Sequence, residues 1–282
     1  MRLFRSVCLL LCVAALPACA TRAPGLSGAA VPVADAPRSE AETLAFAASS
    51  DDERSLFPLS HSFLPARRSS LAGRTLSVAS IEDIDLADGE VVITFDDGPM
   101  PEKTPKILDA LAEAGVGATF LMVGQMASAH PEIARQVAAG GHTVGTHTER
   151  HPNLRTMSFE AALAEIRRGE ASVAKALGEP PAPFFRFPYL ADTKALRARL
   201  ATEAMVPLDV DIDSKDYFRD APDTVMARTL GVLQAKRKGI ILFHDIQART
   251  AALLPDFLKE LDRLGFKVVD LKPADEVRLA SR

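Results

Sequence analysis

Glu90-Val91-Val92-Ile93-Thr94-Phe95 is a short apolar run that stops at Asp96-Asp97-Gly98-Pro99, and a helical pattern opens at Thr104 with Pro105 in its first turn. A brief β-branched and aromatic run bounded by turn residues reads as a buried strand, and proline suits the first turn of a helix. The same succession of strand, polar turn and helix recurs down the chain. Further strands are predicted at 118–123, 142–145, 184–187, 205–210, 239–243 and 267–270, with amphipathic stretches such as Phe159–Leu177 and 250–264 between them. About seven strands separated by helices predict an α/β fold with a parallel sheet, either a barrel or a doubly wound sheet.

Composition narrows the class further. With 282 residues, 25% of them charged, a formal net charge of −4 and three cysteines, the chain is no small disulfide scaffold and no disordered polyelectrolyte. Its longest basic run is Lys236-Arg237-Lys238, so nucleic acid is not an expected partner, and no protein partner is predicted.

All three cysteines, Cys8, Cys12 and Cys19, precede residue 20. Arg2 and Arg5 lead an apolar run over 7–16 that small residues follow, the layout of a secretory signal, and the run is too short to span a bilayer. Leu16-Pro17-Ala18-Cys19 resembles a bacterial lipobox, although an ordinary signal cut after Ala18 or Ala20 has the same flanks. The expected organisation is a lipoprotein signal peptide at 1–18, a lipidated Cys19, and a mostly disordered tether over 19–85 rich in Ala, Ser, Pro and Arg. A domain over 86–274 and a C-terminal tail at 275–282 complete it. The chain is thus expected to be exported to a cell envelope and held to a membrane by lipid, with Ala20 suggesting the periplasmic face of an outer membrane.

In parallel α/β folds, chemistry collects where strands end. Asp96 and Asp97 close the first strand, and neighbouring side chains of a strand point different ways, so one carboxylate can bind a metal while the other faces a reacting water. An Asp-Gly-Pro turn with no such role has the same composition. After the third strand, His147 and His151 stand four apart and can share one ion if their turn is helical. Arg186 lies in an apolar, aromatic run and requires a carboxylate partner, for which Asp96 and Asp97 are the candidates. The acidic loop Asp209 to Tyr217 and His244 at the end of the sixth strand form a plausible histidine and carboxylate pair. His130 and His142 read as structural residues, and His61 as a solvated linker side chain.

Taken in order, Thr94 to Pro99, His147 to His151, Arg186 to Tyr189, Asp213 to Tyr217 and Leu242 to His244 resemble the five motifs of the NodB-like polysaccharide deacetylases, carbohydrate esterase family 4. The resemblance implies a NodB-homology domain folded as a distorted (β/α) barrel and a metal-dependent N-deacetylase of N-acetylhexosamine polymers. It implies that Asp97, His147 and His151 hold one divalent metal, zinc or else cobalt or nickel, and that Asp96 is the general base with Arg186 orienting it. His244 would be the acid, tuned by Asp216; Tyr217 and Leu242 would wall the acetyl pocket; and a backbone N–H near Tyr189 would meet the oxyanion. Two positions depart from the family pattern: Tyr217 stands where tryptophan is common, and Leu190 where glycine is common. With no tryptophan and two tyrosines in the chain, a short or shallow groove is expected. The substrate class stays open among peptidoglycan, chitin-like oligomers, an exopolysaccharide and an O-acetylated polymer. A carbohydrate-binding relative without turnover is the alternative to an enzyme, and the lack of a glycine-rich phosphate loop argues against a phosphoesterase.

Overall fold

The computed structural model describes residues 71–274, so the signal, Cys19 and the tail at 275–282 lie outside the described residues. Nine strands are present among them: β1 (Ala72–Val78), β2 (Glu90–Asp96), β3 (Thr119–Met122), β4 (Thr143–Thr146), β5 (Phe184–Phe185), β6 (Val206–Pro207), β7 (Ile212–Asp213), β8 (Gly239–His244) and β9 (Lys267–Pro273). They form one sheet whose pairings are all parallel. Seven helices lie between them: α1 (Thr104–Ala114), α2 (Gly124–Ala129), α3 (Pro131–Ala139), α4 (Phe159–Leu177), α5 (Lys194–Thr202), α6 (Pro222–Lys236) and α7 (Ala248–Arg263).

β2 is the centre of this sheet. It pairs with β8 from Val91 to Asp96, with β9 at its start and with β3 at its end. Both of its faces are covered, which is why it reads as a continuous apolar run. Val91, Ile93 and Phe95 join Phe120, Phe243 and Phe257 in the larger core beneath the helices. Val92 points the other way, among Leu121, Phe184, Ile240 and Val269 inside the curved sheet. Two and four residues further on, the period of 2 carries Thr94 and then Asp96 to that same inner face, where the apolar filling ends. Register does the rest, since Asp96 pairs with His244 across the β2–β8 ladder.

The sheet does not close: β6 pairs only with β5 and β7 only with β8, and these two are not paired with each other. Arg186 works at this seam, donating from Nε to the Leu208 carbonyl at 3.2 Å and from Nη2 to that of Asp209 at 3.4 Å. The strand predicted over 205–210 is only two residues long here, with β7 as a second short strand after it. Pro207 has no N–H to donate, and Asp211 turns its own side chain to the Ile240 N–H at 2.9 Å.

The expected tether is corrected at its C-terminal end. β1 lies inside the span 19–85, pairs with β9 from Ala72 to Val78, and is flanked by buried Leu71 and closed by buried Val78, so the domain begins by residue 71 and not at 86. The sequence hides this strand because the residues from Gly73 to Thr75 are exposed and no apolar alternation precedes Leu76.

Candidate active site

Asp96 ends β2 pointing into the fold and is 2% exposed. Arg186, also fully buried, donates from Nη1 to Asp96 Oδ1 at 2.7 Å and to Thr94 Oγ1 at 2.7 Å. Burial raises the Asp96 pKa above the usual carboxylate value, and the Arg186 charge opposes that rise. The Arg186 guanidinium favours the anionic form, and the raised pKa makes this carboxylate a better base than a solvated aspartate.

The next residue leaves the strand. Asp97 has φ 80, a left-handed backbone that costs a non-glycine residue about 1–2 kcal/mol, and it turns its carboxylate away from that of Asp96. Asp97 Oδ1 lies 3.6 Å from His147 Nε2 and 3.4 Å from His151 Nε2. The histidines converge by a route other than the helical turn that their spacing suggests. Thr148 and His151 have φ 67 and φ 59, and the Thr148 Oγ1 accepts the His151 N–H at 3.0 Å. The first N–H groups of α2 fix the loop from outside, Gly124 donating to the Thr148 carbonyl and Gln125 to that of Glu149. Glu165, fully buried in α4, pairs with Arg150 of the same loop and with Arg168. Its position on the apolar stripe of Ala162, Leu163 and Ile166 was the sequence signal for this brace.

Three observations fit this triad to a divalent cation. The donor atoms of Asp97, His147 and His151 lie within 4.8 Å of one another. Asp97 Oδ1 is buried and has no hydrogen-bond partner. His147 Nδ1 is 2.7 Å from the Arg186 carbonyl, which can only accept, so that nitrogen carries the proton and Nε2 offers its lone pair to the centre of the triad. Burial pushes the His147 pKa down to about 3, keeping the imidazole neutral as a metal ligand must be.

Across the pocket stands a histidine of the opposite character. His244 Nδ1 is 2.6 Å from Asp216 Oδ1, and its backbone N–H donates to Asp216 Oδ2 at 2.7 Å. Asp216 is fully buried and also receives the Thr250 hydroxyl. Burial acts to lower the His244 pKa, but the hydrogen bond and charge of Asp216 outweigh it and raise it to about 9.

Asp96, Asp97, His147, His151, Tyr189, Tyr217, Leu242 and His244 all line one pocket of about 440 Å³, while Arg186 and Asp216 stand behind it. Leu242 is buried in its wall. Tyr189 and Tyr217 form the mouth, the first edge-on to His151 at 4.6 Å and the second edge-on to His244 at 5.6 Å. Phe187, Leu190 and Asp213 complete the lining. Leu190 lines the pocket as its departure from the family pattern led one to expect, whereas no role was read in the sequence for Phe187 and Asp213, although both lie within quoted motifs; Asp213 Oδ2 accepts the Tyr217 hydroxyl at 2.9 Å. His142 packs against Phe120 well away from this group, and neither it nor His130 lines the pocket.

Comparison with known proteins places this geometry among relatives. Residues 83–205 match the family model described as polysaccharide deacetylase. A chitooligosaccharide deacetylase of Rhizobium leguminosarum bv. trifolii is 36% identical over 159 residues, which cover 56% of this chain and 72% of the relative. The peptidoglycan deacetylase Bd3279 of Bdellovibrio bacteriovorus superposes with a TM-score of 0.64 at 38% identity, covering 74% of this chain and 58% of that one. A family 4 carbohydrate esterase from Streptomyces lividans, solved with acetate, has a TM-score of 0.58 at 30% identity and is covered over 93% of its length by 65% of this chain.

Proposed function

The chain belongs to the polysaccharide deacetylase family, and we propose that it hydrolyses N-acetyl groups of an N-acetylhexosamine polysaccharide to release acetate. One observation carries the reading: a metal-type triad, an arginine-held carboxylate and an aspartate-paired histidine meet at a single pocket. Amide hydrolysis requires an activated water, stabilisation of the oxyanion and an acid for a poor amine leaving group.

In this reading Asp97, His147 and His151 would hold a divalent cation, which we propose is zinc with cobalt or nickel as substitutes, and that ion would supply Lewis acidity and a lowered water pKa. Asp96 accepts the proton of the attacking water, and Arg186 keeps its carboxylate aimed and anionic. A backbone N–H near Tyr189 would donate to the developing oxyanion. His244, charged at neutral pH, gives its Nε2 proton to the departing nitrogen while Asp216 holds Nδ1–H and steadies the imidazolium. Leu242 and Tyr217 wall the acetyl methyl, and Tyr189 supports the sugar. The names of the Rhizobium and Bdellovibrio relatives favour chitin-like oligomers and peptidoglycan as the polymers to test first.

The N-terminal reading extends the proposal: lipid on Cys19 would anchor the domain in the cell envelope, on the periplasmic face of an outer membrane, within reach of such polymers. Radiolabelled acyl incorporation that survives in Cys19→Ser would overturn it.

The direct test measures acetate release from N-acetylglucosamine oligomers and from peptidoglycan with added zinc, comparing the wild type with Asp96→Asn and His244→Ala. Wild-type release with large losses in both variants is expected. Equal release by all three would sink the mechanism, and release from O-acetylated xylan alone would move the chemistry from nitrogen to oxygen.

A further inference from the structure

Asp245 follows the acid histidine at the end of β8, is 1% exposed, and has no part in the steps above. It lies hard against the turn that leaves β2: a Cβ built on Gly98 would stand 2.0 Å from Asp245 Oδ2. The Gly98 backbone N–H lies close to this carboxylate, and the Thr104 hydroxyl donates to Oδ2 at 2.7 Å. Buried Thr104 in turn accepts the Met100 N–H at 2.8 Å. From its own backbone, Asp245 donates to the Asp96 carbonyl at 3.3 Å. One residue thereby ties together the whole stretch from the end of β2 to the first turn of α1.

A buried carboxylate beside two others is costly, and a packing role alone would be served by an apolar side chain that accepts no hydrogen bonds. We propose that Asp245 is a positioning residue for the triad. By anchoring the peptide that follows Asp97, it fixes the left-handed backbone that aims Asp97 Oδ1 between His147 and His151. Gly98 is required because any side chain would occupy the place of the anchoring carboxylate. The proposal rests on the metal reading of the triad, and its test separates the two.

Zinc affinity of the whole protein is measured by chelator competition, beside the melting temperature of the chelated protein, for Asp245→Ala, Asp245→Asn, Thr104→Val and His151→Ala. Asp245 Oδ1 has no partner among the described residues, so Asp245→Asn can keep its acceptor towards Thr104 and Gly98 and put its NH2 on the unpartnered side. Asp245→Ala is expected to bind zinc about 10- to 100-fold more weakly and Asp245→Asn within about 3-fold of the wild type, with Thr104→Val between them. A purely structural role would lower the melting temperature and leave the affinity of the folded protein unchanged, which overturns the proposal. If Asp245→Ala does not fold, wild-type affinity in Thr104→Val overturns it. Zinc binding in His151→Ala as tight as in the wild type would instead overturn the metal triad beneath it.

Discussion

His147 and His244 face one pocket from strand ends on either side of β2, yet the first is neutral, with a pKa near 3, and the second charged, with a pKa near 9. Both are largely desolvated, so depth does not separate them. The partner of Nδ1 does: a backbone carbonyl for His147, the buried carboxylate of Asp216 for His244. A neutral acceptor fixes a tautomer and supports a charge much less than an anion does, and the anion at Asp216 supports the imidazolium. The same residue type thus serves as ligand on one side of the pocket and as acid on the other.

The largest effects should come from breaking the ligand side. Asp97→Ala and His147→Ala are each expected to lose zinc binding and to lower kcat/KM by at least about 10³-fold, since Lewis acidity contributes several kcal/mol at the transition state. Calorimetric zinc titration beside the acetate assay checks both. Zinc bound with wild-type affinity in either variant would sink the ligand assignment.

Breaking the acid side should cost less. His244→Ala is expected to lower kcat by about 10²- to 10⁴-fold with zinc binding kept. Asp216→Asn tests the cause more sharply. The wild-type rate should fall only as pH rises through about 9, and without the anion the alkaline limb should move towards the ordinary histidine value of about 6.5. A limb unmoved in Asp216→Asn would mean that another group sets it.

Stability should register the same contrast with opposite signs. His244, whose pKa rises on folding, stabilises fully below about 6.5 and loses that contribution as pH climbs to about 9. His147, whose pKa falls on folding, withdraws stability as pH drops from about 6.5 towards 3. Each proton changes the unfolding free energy by about 1.4 kcal/mol per pH unit inside its window. Urea unfolding of the chelated protein should show the alkaline decline flattened in His244→Gln. An unchanged decline would contradict the charged pair.

Much of this contrast was legible beforehand, because strand ends and residue types mark themselves. The run from Glu90 to Phe95 announced the central strand, and Asp96, His147, Arg186 and His244 each stood at a strand end. Three things were hidden. β1 draws its pairing from β9, nearly two hundred residues away in the chain, and its exposed residues carry no pattern. The convergence of His147 and His151 depends on left-handed backbone at Thr148 and His151, which side-chain identity does not encode. Asp245 is one more polar residue after a strand in the sequence, and its meaning comes only with Gly98 and Thr104 beside it.

The smallest expected effect lies at the mouth, where each histidine side carries its own apolar rim. Of the exposed large hydrophobic residues among those described, Tyr189 and Leu190 gather beside His151, and Tyr217 and Phe218 beside His244. Phe218 touches Tyr217 edge-on at 4.8 Å and is 49% exposed, so a sugar next to the acetylated one can lay its apolar face on it. The chain lacks tryptophan, and Phe218 sets a third exposed aromatic face beside the two tyrosines. Contacts of this kind contribute about 0.5–1.5 kcal/mol, so Phe218→Ala should raise KM for N-acetylglucosamine tetramers about 2- to 10-fold with kcat unchanged. Dimers, too short to reach the rim, should be affected less. An equal rise for both lengths would place Phe218 in support of Tyr217 and not on the sugar. The acid side of the pocket would then hold its histidine and its aromatic wall as one unit, and the contrast with the ligand side would end at the chemistry.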